Sequence, residues 1–587
     1  MITSTTRAAA FACLLLTGVV AAQDDAKRAP PNVILVMTDD QGFGDFSGKS
    51  NPVLETKALD AFALECPKVE RFYVSPVCSP TRACLMTGRY NYRTRVVDTW
   101  IGRSMMEPAE VTIAETLRAA GYHTGIFGKW HLGDCYPLRP MDQGFDESLV
   151  HRGGGIAQPS EPLENERRYT DAILVHNGEL EQTKGYCTDV YFERAAAFID
   201  ASVAQQQPFF AYIATNAPHD PFHDVPQELY EKYKQLDMSK VQRGNPDGKS
   251  AGAKPDILAR TFAMIENIDH NFGRLLKHLD KRGIADNTIV IFMTDNGPLW
   301  GRHVAGLRGY KSSVYEGGIR SPLWVRWPGR LKPTTTVAKI GAHIDLLPTI
   351  CEATGAAVPE TTLDGRSLLP LLEGRAADWQ ERTLFIQTHR GDAPQAEHHF
   401  AAIESRWKLL RHSGFGKLQA APDTPFELYD LAADPGEQNN VAKENPTVVS
   451  AMRKKYAQWF ANVSATRPDN YAPPRIHIGT SHEPTTTLTR QDWRAGDGVG
   501  WGHKGAWLLH VEEAGPFNVT LLFRKERVAE LFTIQAGGKP QTQRMVIESD
   551  RIELDPIHFT KGNVDLRITC DNGTEKFAPY QVLLTRK

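Results

Sequence analysis

Three short runs of almost wholly apolar residues stand out along the chain, at 33–38, 209–215 and 288–294. Because apolar and polar residues do not alternate in them, the runs are typical of strands buried on both faces of a parallel sheet. Between the runs, residues 110–120 and 256–282 carry apolar side chains at helical spacing, and Gly283 provides a stop for the second segment. Strands that alternate with helices predict an α/β domain with a mostly parallel sheet.

Polar residues follow each of the three predicted strands. Asp39 and Asp40 follow the first strand, His219 lies shortly after the second, and Asp295 and Asn296 follow the third. Ligands of open α/β sheets bind at the carboxyl ends of the strands. We therefore expect three separate segments to deliver polar groups to one active site at this edge of the sheet.

The hydrophobic pattern changes after about residue 380. Strand-like runs at 406–410 and 426–431 precede a helical segment at 447–463, and further strand-like runs with turn-rich breaks follow from residue 475. The pattern predicts three units, namely an α/β domain over 23–380, a small subdomain of short strands and a helix over 381–472 and a β-sandwich over 473–587.

The first residues are typical of a secretory signal peptide. Arg7 precedes an apolar stretch at 8–20, and small residues at 20–22 offer a cleavage site. The stretch is too short to span a bilayer by itself, and no other segment approaches the roughly 18 apolar residues that a membrane helix needs. We therefore expect residues 1–22 to be removed and the mature protein to be secreted or periplasmic and free of the membrane. An uncut membrane anchor is the alternative.

Composition and charge exclude several classes of function. Of the 587 residues, 41% are hydrophobic and 23% are charged, which is ordinary for a globular protein. The formal net charge of −3 argues against nucleic acid or an anionic membrane as the main partner. The eight cysteines are scattered and show no Cys-x-x-Cys spacing, so neither a zinc site nor a redox motif is indicated.

One short motif carries the strongest chemical signal. Cys78 is followed by Pro80, Arg82, Thr87 and Gly88. This motif resembles the signature of the type I sulfatases, in which a maturation enzyme oxidises the cysteine to formylglycine. The resemblance implies a covalent mechanism in which hydrated formylglycine attacks the sulfur of a sulfate ester. The structural alternative is an inert buried thiol, since free cysteine is among the most buried residue types.

The residues after the first and third strands are candidates for a metal site. Asp39, Asp40, Asp295 and Asn296 supply hard oxygen ligands, which suit Ca²⁺ or Mg²⁺ and not a soft metal. The resemblance to the type I sulfatases implies that these four positions bind a divalent cation, usually Ca²⁺, beside the formylglycine. The alternative is that both pairs only cap loops and turns.

The same resemblance implies roles for a set of basic side chains. Arg82, Lys129 and Lys311 match residues that hold the sulfate oxygens. His219 matches the group that protonates the departing alcohol, and His131 the group that removes a proton to expel sulfate. Asp295 is expected to assist deprotonation of the nucleophile. His151 and Arg152 precede a Gly-rich loop and are expected to line the substrate pocket or, alternatively, to stabilise that loop.

The resemblance covers residues 30–465 and implies an alkaline-phosphatase-like α/β fold followed by the small antiparallel subdomain. The secretory signal favours a sulfated carbohydrate as substrate, and Trp493, Trp501 and Trp507 are candidates for stacking on its sugar rings. The alternative is that these tryptophans form a β-sandwich core. Two other functions stay open, namely a phosphate or phosphonate monoesterase of the same fold and an inactive secreted glycan-binding protein.

Overall fold

The computed structural model describes residues 29–243, 252–375, 379–467, 469–495, 501–502 and 504–587. The predicted signal peptide at 1–22 lies outside these ranges. No helix in the described ranges is both long enough and apolar enough to cross a bilayer. The helices are α1 (Lys57–Leu64), α2 (Cys78–Thr87), α3 (Ile113–Ala119), α4 (Cys187–Ala204), α5 (Gln227–Lys234), α6 (Pro255–Arg282), α7 (Glu316–Ile319), α8 (Leu346–Thr354), α9 (Leu369–Leu372) and α10 (Pro446–Ser464).

A central sheet of eight strands organises the first part of the chain, in the order β10-β8-β1-β7-β3-β4-β5-β6. Strands β8, β1, β7, β3 and β4 run parallel, so the three predicted strands are confirmed and lie side by side. A small sheet of β11, β2 and β9 packs beside it. The strands are β1 (Asn32–Thr38), β2 (Lys68–Tyr73), β3 (His123–Lys129), β4 (Glu147–His151), β5 (Ile173–His176), β6 (Glu179–Gln182), β7 (Phe209–Ala214), β8 (Thr288–Thr294), β9 (Arg320–Ser321), β10 (Leu323–Arg326) and β11 (Thr336–Ala342).

The central sheet is covered on both faces, which explains its non-alternating sequences. Ile34 and Val36 of β1 belong to a core cluster with residues of α4 and α6. Val33 and Leu35, on the opposite face, belong to a second cluster with residues of α3 and α8. Both predicted helices are therefore confirmed as α3 and α6, and α6 ends at Gly283 in a left-handed conformation with φ of 68°.

The predicted antiparallel subdomain is also confirmed. Four antiparallel strands follow in sequence order, and α10 carries Met452 and Tyr456 into the core cluster that they share with the strands. These strands are β12 (Leu384–Gln387), β13 (Phe400–Ile403), β14 (Trp407–Arg411) and β15 (Glu427–Asp430).

The described residues of the C-terminal part form a β-structure of nine strands, hereafter the C-terminal β-domain (residues 476–586). The long strand β20 pairs with β24 along its first half and with β22 along its second half, so all strands belong to one continuous sheet. Residues from both ends of this sheet meet in one core, so the sheet folds over on itself. The strands are β16 (Ile476–Ile478), β17 (Thr485–Thr489), β18 (Arg494–Ala495), β19 (Gly505–Val511), β20 (Gly515–Ala536), β21 (Gln541–Phe559), β22 (Gly562–Asp571), β23 (Lys576–Phe577) and β24 (Gln581–Arg586).

The C-terminal β-domain shares its core with the α/β domain. Ile101 and Leu138 of the α/β domain lie in the same apolar cluster as Trp493 and Trp507, whose side chains are fully buried. The core alternative therefore holds for both tryptophans; the strand-like run around Trp507 favours that interpretation from the sequence, whereas the sugar-stacking expectation for Trp493 is wrong. A backbone hydrogen bond of 2.8 Å from Gly102 to the carbonyl of Gln491 adds a polar contact to the apolar junction.

Candidate active site

Cys78 is the first residue of α2 and lies against a cavity of about 380 Å³. Every residue of this ten-residue helix is buried, and Thr81 fixes it to the sheet by donating a 2.7 Å hydrogen bond to the carbonyl of Asp295. Burial raises the pKa of the Cys78 thiol, against the nearby charges of Lys129 and Lys311. The free amides of a helix N-terminus favour an anion at this position.

The four predicted metal ligands meet beside Cys78 because β1 and β8 are adjacent and in register. Thr38 pairs with Thr294, so the residues that follow these strands leave the sheet at the same point. The backbone amide of Asp40 donates to Oδ1 of Asp295 over 3.1 Å, and Nδ2 of Asn296 donates to Oδ1 of Asp40 over 2.8 Å. All four side chains are fully buried.

The oxygen atoms of this group fit a hard cation. Oδ1 of Asp39, Oδ2 of Asp40 and Oδ1 of Asn296 are buried and accept no hydrogen bond from any described residue. Orphaned buried oxygens are costly unless a ligand satisfies them. Two carboxylates and an amide oxygen match the ligand preference of Ca²⁺ and Mg²⁺.

Each carboxylate of the group also forms an ion pair with one of the predicted basic side chains. Nζ of Lys129 lies 2.5 Å from Asp39, and Nζ of Lys311 lies 2.5 Å from Asp40. Arg82 reaches the third carboxylate, with Nη2 2.9 Å from Oδ2 of Asp295. Lys311 also lines the cavity, whereas the side chains of Lys129 and Arg82 are fully buried.

Burial and mutual charge move the pKa values of the carboxylates apart. Burial alone raises the pKa of Asp39, but the charges of Lys129, His219, Arg82 and Lys311 outweigh it and hold that pKa well below its usual range. Burial and the charge of Asp39 raise the pKa of Asp295 to about 7, although Arg82 and Lys129 oppose the rise.

The two predicted catalytic histidines line the cavity and have opposite pKa shifts. Burial and the charges of Lys129 and Arg82 hold the pKa of His131 well below its usual value, so its ring is neutral at pH 7. Burial and Lys311 lower the pKa of His219, but the carboxylates of Asp39, Asp40 and Asp220 outweigh them and raise it overall. Asp220, with Oδ1 3.0 Å from Nδ1 of His219, orients that ring.

The structure does not bring His151 and Arg152 to the cavity. His151 is buried, with Nδ1 2.9 Å from the carbonyl of Arg152 and 3.4 Å from Oε1 of Glu161. Arg152 lines a separate small pocket with Asp134 and Glu483. The alternative expectation, that this segment supports the Gly-rich loop, agrees with the geometry. In place of His151 and Arg152, Gly154 packs against the His131 ring. A Cβ atom added at Gly154 would lie 2.5 Å from Cε1 of His131.

Sequence reasoning missed several residues that form the outer part of the cavity, among them Trp100, Arg167 and Arg390 from the first two units. These three residues belong to no sequence motif. Trp501 of the C-terminal β-domain, a predicted candidate for stacking on sugar rings, lines the same part of the cavity. Gln491 lies deeper, with Nε2 3.4 Å from Nε2 of His131.

Sequence and structure comparisons relate this chain to known enzymes. Residues 31–356 match the Sulfatase family, and residues 309–461 match the family described as N-sulphoglucosamine sulphohydrolase, C-terminal. Human arylsulfatase A is 29% identical over 471 residues, which are 73% of this chain and 87% of that protein. The N-acetylgalactosamine-6-sulfatase of Canis lupus familiaris is 31% identical over 455 residues, which are 70% of this chain and 81% of that protein.

A solved structure gives the same relationship in three dimensions. The crystal structure of Ps i-CgsB in complex with k-i-k-neocarrahexaose is similar, with a TM-score of 0.63 and 26% sequence identity. The similarity covers 73% of this chain and 93% of that chain. The first family match ends at residue 356 and the second at residue 461, so both end before the C-terminal β-domain begins.

Proposed function

The chain belongs to the sulfatase family and is a sulfuric ester hydrolase, and we propose that its nucleophile is formylglycine made from Cys78 by a maturation enzyme. One observation carries the proposal. Cys78, His131, His219 and Lys311 line a single cavity, and carboxylate oxygens of Asp39 and Asp295 lie within 4.8 Å of the Cys78 sulfur. Formylglycine supplies one hydroxyl of its hydrate for attack on sulfur and a second hydroxyl through which the sulfate can be released.

We further propose that Asp39, Asp40, Asp295 and Asn296 hold Ca²⁺, with Mg²⁺ as the alternative. The orphaned oxygens and the absence of a soft ligand among these four residues support this choice. When bound, such a cation supplies Lewis-acid stabilisation of developing negative charge. The chain itself already fixes the carboxylates, because Lys129, Lys311 and Arg82 pair with one each.

The histidines are assigned as proton carriers. His219 lies in the cavity with Nδ1 held by Asp220, and we assign its Nε2 as the donor of a proton to the departing alcohol oxygen. His131 is held by a 2.8 Å contact of Nε2 with the carbonyl of Thr99, and its Nδ1 has no partner among the described residues. We assign Nδ1 of His131 as the acceptor of the proton whose removal expels sulfate.

We propose a sulfated carbohydrate as the substrate and export from the cytoplasm as the route to it. The relatives named above support the substrate class, since one is an N-acetylgalactosamine-6-sulfatase and one was solved with a bound neocarrahexaose. The apolar segment at 8–20 supports export. Lys311 and the α2 N-terminus supply the positive field that a sulfate monoester requires.

Sulfate and phosphate esters of one aryl alcohol test this function, with the full chain produced beside a competent maturation system. The expected result is release of inorganic sulfate, with a kcat/KM for the sulfate ester at least about 100-fold above that for the phosphate ester. Preferential release of phosphate would favour a phosphate or phosphonate monoesterase. Binding of sulfated oligosaccharides without any turnover would favour a glycan-binding protein.

A further inference from the structure

The C-terminal β-domain forms one wall of the cavity that contains Cys78. Trp501 lies edge-on to Trp100, with ring centroids 5.3 Å apart, and its Nε1 donates to Oε1 of Gln491 over 3.3 Å. Gln491 in turn donates from Nε2 to the carbonyl of Thr99 over 2.9 Å. The two tryptophans are half-buried, so part of each ring faces the cavity.

Two arginines line the same outer part of the cavity. The guanidinium of Arg390 lies 3.9 Å from the Trp100 ring centroid, and its Nη1 donates to Oδ1 of Asp98 over 2.6 Å. Its position is therefore fixed while a quarter of the side chain stays exposed. Arg167 is exposed at the cavity wall, and no carboxylate of the described residues forms an ion pair with it.

A third arginine extends this positive charge to the rim. Arg524 of β20 donates from Nη2 to the carbonyl of Ala157, a cavity residue, over 3.3 Å. Its guanidinium lies 4.4 Å from the ring centroid of Tyr580, and the charges of Arg524, Arg490 and Arg167 all act on that phenol. Among the described residues Arg527 is paired with Glu575, whereas neither Arg524 nor Arg167 has a carboxylate within ion-pair distance.

A bound anion would offset the mutual repulsion of these arginines. Like charges that lie near one rim repel each other, and of the three only Arg390 is paired with a carboxylate among the described residues. Arg490 has a structural explanation, because it donates to the carbonyls of Ala578 and Pro579. Arg167 has no such partner among the described residues, and Arg524 donates only from Nη2, to the carbonyl of Ala157 and to the hydroxyl of Tyr580.

We propose that Arg167, Arg390 and Arg524, together with the Trp100–Trp501 pair, form a second anion subsite beside the cleavage position. The subsite binds a sulfate or carboxylate on the sugar adjacent to the one whose sulfate ester is cleaved, and the exposed indole faces contact the sugar ring. This inference rests on the proposed sulfatase function. It makes the C-terminal β-domain a specificity determinant for substrates that carry more than one negative charge.

Kinetics on matched disaccharides test the subsite. The substrates share one scissile sulfate and carry on the neighbouring sugar a second sulfate, a carboxylate or no charge. We expect Arg167→Gln and Arg524→Gln to lower kcat/KM about tenfold or more for the doubly charged substrates, since a charge-assisted hydrogen bond is lost. The loss on the singly charged substrate is expected to stay within about threefold.

Control variants separate recognition from folding. Arg567→Gln removes an exposed arginine of the same domain, which pairs across strands with Gln535 at the far end of β20. We expect this variant to match the native protein on every substrate. Trp501→Phe should keep more activity on the disaccharides than Trp501→Ala, because a ring remains to contact the sugar.

A binding measurement keeps this inference separate from the proposed function. Calorimetry of the Cys78→Ala chain with the same disaccharides reports affinity without turnover. Tighter binding of doubly charged ligands that Arg167→Gln or Arg524→Gln removes would support the subsite even if no sulfate were ever released. Equal fractional losses on singly and doubly charged disaccharides, in kinetics and in calorimetry, would overturn it. Comparison of the disaccharide that carries a second sulfate with the one that carries a carboxylate shows which anion the subsite binds.

Discussion

At the residue scale, the site is a set of opposite charges that compensate each other below the surface. Three buried carboxylates, those of Asp39, Asp40 and Asp295, are paired one-to-one with Lys129, Lys311 and Arg82. Removing one partner of a buried pair leaves an uncompensated charge, which is strongly destabilising. The remaining orphaned oxygens of Asp39, Asp40 and Asn296 are the atoms that the proposed cation would satisfy.

We predict that Asp40→Asn weakens Ca²⁺ binding on the order of tenfold or more, because the charge and number of oxygen ligands set the affinity of such sites. Calorimetric titration of Ca²⁺ into metal-free protein measures the change. The matched control is Asp269→Asn, another buried carboxylate, which accepts hydrogen bonds from the backbone amides of Ala58 and Leu59 and lies outside the site. Native affinity in Asp40→Asn, or stoichiometric zinc in place of calcium in the native protein, would contradict the metal assignment.

At the element scale, the order of strands in the sheet decides which side chains meet. The strand runs at 33–38, 209–215 and 288–294 could be predicted because strands buried on both faces contain few polar residues. That prediction also located Asp39, His219 and Asp295, since these residues follow strands that proved to be neighbours. The direction of the His151 side chain could not be predicted, because it depends on the contact with Glu161, which lies across a loop.

Strand β3 approaches β7 so closely that Lys129 depends on the glycine before it. Gly128 has φ of 121°, and a Cβ atom there would lie 1.9 Å from the carbonyl oxygen of Ala214. Gly121 also has positive φ, at 87°, but a Cβ atom there would meet nothing within 4 Å. Alanine substitutions at these two glycines therefore separate the effect of a steric clash from the effect of backbone strain alone.

We predict that Gly128→Ala costs at least about 3 kcal/mol of unfolding free energy, since the clash adds to the backbone strain. Gly121→Ala should cost about 1 kcal/mol, the price of a left-handed backbone alone. Urea denaturation of both variants measures the difference. Equal losses in the two variants would show that the close approach of β3 to β7 is not a constraint on this fold.

At the scale of the whole molecule, the C-terminal β-domain is part of the enzyme's core and of its cavity. The strand pattern after residue 475 could be predicted from alternating residues, and the burial of Trp507 agreed with its place in a strand. The position of Trp501 beside Trp100 could not be predicted. The two residues are about 400 positions apart in the chain, and a strand pattern shows which face is buried without showing what docks on the domain.

The junction of the two domains contains a buried carboxyl without hydrogen-bond partners. Both oxygens of Asp492 are buried and accept no hydrogen bond from the described residues. Burial and the charges of Asp134 and Glu483 raise the pKa of Asp492 well above its ordinary value, against the charge of Arg152. The folded protein therefore keeps a proton on Asp492 that the unfolded chain releases above its ordinary pKa. The contribution of protonated Asp492 to folding stability is fully present below that ordinary pKa. It is lost as pH rises toward the pKa that Asp492 has in the folded protein.

We predict that the unfolding free energy of Asp492→Asn increases relative to that of the native protein as pH rises from 5 to 8. The difference in unfolding free energy should grow by on the order of 1 kcal/mol for each pH unit in the window where the unfolded carboxyl is ionised and the folded one is not. Urea midpoints at the two pH values measure it. Asp550→Asn, an exposed carboxyl of the same domain, is the control and should show no such trend. A pH-independent difference for Asp492→Asn would contradict the assignment of a neutral buried carboxyl.

Cys78 is proposed above as the precursor of the formylglycine nucleophile. Cys84 offers a matched control, since it is a second buried thiol on the same helix and lies outside the cavity lining. Cys78→Ala is expected to abolish sulfate release while leaving the fold intact, because the group that attacks sulfur is lost. Cys84→Ala is expected to keep activity within about threefold of the native rate, since Cys84 lies outside the cavity lining and the change removes only one buried sulfur atom.

Mass spectrometry of the tryptic peptide spanning residues 72–82, from a preparation that releases sulfate, tests this claim most directly. We predict a peptide in which residue 78 carries the aldehyde or its hydrate, in a fraction that rises and falls with specific activity across preparations. An active preparation whose peptide contains unmodified cysteine alone would contradict the account.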